Sequence, residues 1–131
     1  MDYISICRSN YFKVRDAKRF VRWCRYHGLE HWTYENEGET FHAIGNDDGG
    51  GWPSYNHDGE FDFEIERELQ SHLDPSTVAI IYSADHEGLR YVGGHAVAVH
   101  ATKPPTYLGL KAIVALARTA YGPEVTIDDD N

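Results

Sequence analysis

The chain opens on an alternation of period two: Tyr3, Ser5 and Cys7 share one parity, Ile4 and Ile6 the other. That pattern predicts a strand over residues 3–7. After the turn signal Ser9-Asn10 the period becomes helical, with Ala17, Phe20, Val21 and Cys24 forming one stripe. Lys18, Arg22 and Arg25 fall on the opposite face, and Asp16 and Gly28 are good residues to begin and end a helix over residues 17–27. Two short strands, residues 30–34 and 40–44, are predicted around the hairpin turn Glu35-Asn36-Glu37-Gly38. Residues 46–51, three glycines behind two aspartates, predict no regular structure. Phe61, Ile65, Leu69 and Leu73 recur at every fourth position and predict a helix over residues 58–73, stopped by Asp74-Pro75. Residues 78–83 and 90–100 predict a second hairpin at the sheet centre. Lys103-Pro104-Pro105 breaks that run, and Thr106 caps a predicted last helix ending at Gly122-Pro123. Its face of Leu110, Ile113, Val114, Ala117 and Tyr121 is expected to pack inward.

The order of elements predicts an α+β domain over residues 1–123: a mostly antiparallel sheet of about five strands packed with three helices. Residues 124–131 form an acidic C-terminal tail. The length of 131 residues fits one domain. No apolar run follows a basic start, so no signal peptide is expected, and none approaches the ~18 residues of a membrane span. Two cysteines, Cys7 and Cys24, are too few for a disulfide scaffold and suit the reducing cytoplasm.

Charge changes the picture more. The chain has 12 basic and 21 acidic residues, net −9. Residues 1–28 hold seven basic residues against two acidic, while residues 29–74 hold thirteen acidic against Arg67 alone. The basic face of the first helix is expected to pair with the acidic middle, which still keeps a large excess of negative charge. Such a surface repels nucleic acid and membrane headgroups, so direct binding to either is not expected.

Eight histidines raise the question of metal and catalysis. His95 and His100 lie five apart on a predicted strand and so point to opposite faces. No CxxC or HExxH is present, and Asn46-Asp47-Asp48-Gly49 starts like a calcium loop whose twelfth position is His57, not Glu. No metal and no cofactor are expected. The glycine run Gly49-Gly50-Gly51 lacks the Lys-Ser/Thr of a phosphate loop, and is expected instead to form a mobile loop presenting Trp52 and Tyr55 to a partner.

The acidic run carries the most weight. Asp58, Glu60, Asp62, Glu64, Glu66 and Glu68 place six carboxylates in eleven residues. On a helix alternate residues rise ~3 Å, close to the ~3.4 Å between phosphates along one DNA strand. Like charges at i, i+4 such as Asp58, Asp62 and Glu66 destabilise a helix, a cost that no local lysine offsets. With Asp47 and Asp48, and the carboxyls of Glu35, Glu37 and Glu39, this run is expected to imitate a nucleic-acid backbone. The expected partner-binding set is Asp47, Asp48, Trp52, Tyr55, Asp58, Glu60, Asp62, Glu64, Glu66 and Glu68.

Two resemblances bear on function. Gly93-Gly94-His95-Ala96-Val97-Ala98-Val99 resembles the strand that carries the base histidine of papain-type cysteine peptidases. Such an enzyme needs a thiolate at a helix start; Cys24 stands at the wrong end of its helix, and Cys7 lacks the glycine-rich or aromatic signature. A small Cys/His hydrolase is therefore the alternative, and a protein that is not an enzyme the expectation. The second resemblance rests on Ser9-Asn10-Tyr11-Phe12-Lys13-Val14, Gly50-Gly51-Trp52-Pro53-Ser54 and Leu89-Arg90-Tyr91-Val92-Gly93-Gly94-His95-Ala96-Val97-Ala98-Val99. Together they resemble small acidic proteins of bacterial plasmids, integrative elements and prophages, over residues 9–100; the last helix departs from that pattern. The resemblance implies an inhibitor of host defence, anti-CRISPR or antirestriction in kind. Its partner would be a protein that normally binds nucleic acid, such as a CRISPR surveillance complex. An acidic antitoxin-like partner protein from a mobile element is a further alternative.

Overall fold

Every second residue of Ile4–Ser9 (β1) is buried, and the buried set is Ser5, Cys7 and Ser9 rather than the isoleucines. Ile6 stands half exposed on the other side. The computed structural model describes residues 3–53 and 64–128 and places β1 beside the midline of a six-stranded antiparallel sheet. After β1 come α1 (Ala17–Tyr26), β2 (Glu30–Asn36), β3 (Glu39–Gly49), α2 (Ile65–His72), β4 (Ala79–Glu87), β5 (Tyr91–Val99), β6 (Thr106–Gly109) and α3 (Ala112–Tyr121). The sheet order is β2-β3-β1-β4-β5-β6. The α+β class is as the sequence predicts, with six strands in place of about five.

Local chemistry accounts for α1. The Asp16 carboxylate accepts a hydrogen bond from the Arg19 backbone N–H at 3.2 Å, and Gly28 takes φ +67° beyond the last turn. Of the predicted stripe, Phe20 and Cys24 face inward, where Ile65, Leu69 and Leu73 meet them over Ile44, Ile81, Val97 and Val99 of the sheet, whereas Ala17 is exposed and Val21 only partly buried beside the basic residues. Both α1 and α2 thus cover one face of the sheet.

Five expectations need correction. Residues 46–49 continue β3, because β3 leaves β2 and pairs with β1 through Arg8↔Gly45 and Cys7↔Asn46. Gly45 allows that crossing: a Cβ there would sit 3.0 Å from the Cys7 carbonyl and 3.3 Å from the Trp32 ring. The predicted helix over residues 58–73 is observed only as Ile65–His72. Glu64 is extended (φ −120°, ψ 110°), so no single helix runs through it, and residues 58–63 lie outside the described residues. The sheet centre is β1 with β4, because β6 adds a strand outside β5. That strand is the fourth correction: residues 106–109 pair with the open edge of β5 (Ala98↔Thr106, Val97↔Tyr107) and the helix starts only at Ala112. No residue of α3 is buried, so its apolar side does not pack inward.

Candidate functional site

The inward face of the sheet changes character along the strands. The register sets Ser9, Ile81 and Val97 in one row, Cys7, Ser83 and His95 in the next inward row, and Ser5, Asp85 and Gly93 beyond. Ile81 and Val97 of the first row belong to the hydrophobic core, with the Ser9 hydroxyl buried beside them. The other two carry hydroxyls, a thiol, an imidazole and a carboxylate where a core would continue with aliphatic side chains. There the helices give way to the segment Gly50–Gly51–Trp52–Pro53 and to the start of α2, which enclose a cleft of about 370 Å³.

Hydrogen bonds hold this end of the sheet together. Ser5 Oγ donates to Asp85 Oδ1 at 2.6 Å, and Cys7 Sγ lies 3.7 Å from Ser83 Oγ and 4.0 Å from Ser5 Oγ. The glycine segment is tied down, contrary to the mobile loop expected. The Asn46 amide donates to the Gly51 carbonyl at 2.6 Å, the Gly50 N–H donates to Asp48 Oδ1 at 2.7 Å, and the Gly51 N–H donates to the Ser5 carbonyl at 3.2 Å. Gly51 takes φ +81°, and a Cβ on it would stand 3.0 Å from Ser5 Oγ, so the segment closes on the floor only because this residue is glycine.

Trp52 packs its ring against the hydrophobic core, while its Nε1 is buried without an acceptor among the described residues. Glu64, Glu66 and Asp85 line the cleft, with Tyr3 and His95 at its edge. Three carboxylates and two aromatic rings suit a cationic group, which carboxylates attract by charge and aromatic faces by their quadrupole.

The expected site residues therefore divide. Asp48 braces the glycine segment, Glu64, Glu66 and Trp52 meet at the cleft, and Asp47 lies exposed near the end of β3. Glu68 points elsewhere: it accepts from Trp23 Nε1 at 2.9 Å and lies 3.7 Å from His27 Nε2. Tyr55, Asp58, Glu60 and Asp62 lie outside the described residues. Tyr3, Ser5, Ser83 and Asp85 were not anticipated, although their parity matches that of Cys7, Ile81 and Val97 and is the signal that marks them.

The basic face of α1 stays open. Lys18, Arg22 and Arg25 are exposed, flank a shallow depression with Ala17 and Val21, and make no ion pair among the described residues. The expected pairing with the acidic middle reduces there to Lys13 with Glu39 at 2.9 Å and the contact of His27 with Glu68.

The thiols are poorly placed for nucleophilic work. Burial pushes the Cys24 thiol up to about 12. Burial also raises Cys7, and the neighbouring Asp85 charge adds to it, against the opposing hydrogen bonds of Ser83 and Ser5. Both thiols thus stay protonated at neutral pH. His95 shares a row with Cys7 across Ser83, yet among the described residues no hydrogen bond joins it to either.

Among the described residues, no group of three or more His, Cys, Asp or Glu side chains is placed to hold a metal. No described helix is long and apolar enough to cross a membrane. No protein-family model, no curated protein and no solved structure matches this chain.

Proposed function

We propose that this protein acts by binding rather than by catalysis, as an inhibitor of a bacterial defence system. Its partner is a protein that ordinarily holds nucleic acid, such as a CRISPR surveillance complex. The observation that carries this reading is the cleft: Glu64, Glu66 and Asp85 gather around Trp52 and Tyr3 in a chain of net charge −9. The surfaces that grip nucleic acid are rich in arginine and lysine. A guanidinium from such a surface finds carboxylates and aromatic faces here, and its occupation would exclude the nucleic acid. The mimicry then rests on a cluster of acids at one end of the sheet, not on a ladder along one helix.

The carboxylates act together by charge, so single neutralisations are expected to matter little: a surface charge pair is worth only ~0–1 kcal/mol. Reversing Glu64 and Glu66 to lysine together with Asp85→Asn, which keeps an acceptor for Ser5, is expected to abolish inhibition. The assay is plaque formation by phage on a CRISPR-immune host expressing the chain, with a melting curve to show that the variant folds. Wild type is expected to raise plaquing, and to compete with DNA for the purified surveillance complex less well as salt rises. A folded triple variant that inhibits like wild type would overturn the reading, as would simultaneous binding of chain and DNA.

The row Cys7–Ser83–His95 is the one observation that favours the hydrolase alternative. Under the binding reading, Cys7→Ser, which removes the thiol beneath the cleft without touching its lining, is expected to leave inhibition unchanged. Loss of activity at an unchanged melting temperature would instead point to a nucleophile and its base.

A further inference from the structure

We infer that the sheet face opposite the cleft, together with α3, is the contact surface for a second copy of this chain. The two helices that build the core cover one face only. On the other, Ile6, Tyr82, Ala84, Ala96, Leu108 and Leu110 line an open groove of about 440 Å³. Beside it, α3 lies open: eight of its ten residues are apolar, yet none is buried. A helix of that composition normally lies inside a protein or a membrane, and ten residues are too few to span a bilayer.

Charge and area both point to a second copy as the occupant. The groove is lined by no Asp or Glu, although the chain has 21 acidic residues, and Arg8 is the one Lys or Arg that lines it. Nor does α3 contain an acid. Two molecules each carrying net charge −9 can approach closely only where acids are missing, and both surfaces meet that condition. A strongly basic partner would instead be drawn to the acidic cleft on the opposite face.

Ile6, Tyr82, Leu108, Leu110, Ile113 and Leu116 are each between 47% and 64% exposed. At on the order of 100 Å² apiece they supply ~600 Å² per copy, or ~1,200 Å² in all, the lower bound of a stable specific interface. Two-fold symmetry lets α3 of each copy lie in the groove of the other, so both apolar surfaces are covered at once. Leu110 marks where they join: it packs against Gly94 in the groove, and α3 begins two residues later at Ala112.

Sedimentation equilibrium on the full chain tests this. The wild type is expected to be a dimer at ~100 µM, with association strengthened as salt rises from ~0.1 M to ~1 M, because screening removes the repulsion of two acidic molecules. That sign is opposite to the salt dependence expected of the cleft, so the two readings fail separately. Ile113→Glu with Leu116→Glu is expected to weaken the dimer ~100-fold, about tenfold per substitution. Because neither residue is buried, the far-UV spectrum and melting curve of the isolated copy should be preserved. Leu108→Glu attacks the groove side and is expected to act in the same direction. A wild-type monomer at ~100 µM, or a folded double variant that dimerises as before, would overturn the inference.

Discussion

Replacing Phe20 with alanine is expected to cost ~3–5 kcal/mol of unfolding free energy, the range for removing a large aromatic ring from a core. Phe20 is fully buried and is the hub of an aromatic cluster. Phe12 meets it edge-on at 5.7 Å, Trp23 stacks on it at 5.6 Å, and His31, His42 and His72 stand within 5.5–5.7 Å. Phe20 of α1 thereby touches α2 through His72, β2 through His31 and β3 through His42, so the vacated space would have to be filled by shifting several elements. Phe20→Leu keeps most of the volume and is expected to cost less than half as much. Urea unfolding of both variants supplies the measurement; a loss below ~1 kcal/mol for the alanine would show that the cluster collapses around the vacancy.

Mild acid is expected to unfold the protein through the same cluster. Burial holds His31, His42 and His72 below the ordinary histidine value. For His42 the neighbouring His31 adds to the effect and Glu35 opposes it. For His72 Arg19 adds to it, while Glu68 and Asp16 oppose it. His31 Nε2 and His42 Nδ1 are 2.9 Å apart, a bond that needs one donor and one acceptor and fails when both rings are fully protonated.

The direction follows from proton uptake. Above pH ~6.5 these histidines are neutral in both states and their contribution to stability is fully present. As pH falls below ~6.5 the unfolded chain binds protons that the folded chain resists, so stability drops, by at most ~1.4 kcal/mol per pH unit for each histidine. His31, the most open to water of the three, contributes less. The urea midpoint should therefore fall steadily from pH 7 towards pH ~5, and His31→Phe should make that fall shallower. A midpoint that stays level over this interval would show that the folded cluster accepts the protons.

Much of the fold can be read from short stretches of chain. The first helix follows from Asp16, the stripe of Phe20 and Cys24, and Gly28, because capping and helical periodicity are local properties. The β2–β3 hairpin follows from its turn, with Glu37 and Gly38 in the positive-φ conformation that such a turn requires. The excess of acid in residues 29–74, and its concentration near the start of α2, are likewise matters of composition.

What the sequence could not decide is which side of each strand faces in. In β1, alternation separates Ser5 and Cys7 from Ile4 and Ile6, and apolarity alone would turn the isoleucines inward. The sheet turns Ser5 and Cys7 inward instead, because β1 is locked between β3 and β4 in a register that aligns them with Ser83 and Asp85. The floor of the cleft exists only through that pairing. The same holds for residues 106–109, whose spacing fits a helix but which complete the hydrogen bonds of the β5 edge. Periodicity and capping are set by neighbours within a few positions, so the sequence by itself determined the first helix, the hairpin and the acidic charge. Strand register, edge pairing and inward parity depend on partners as distant as Ser5 and Asp85, 80 residues apart. These were decided only by the tertiary structure, and with them the cleft and the open apolar face.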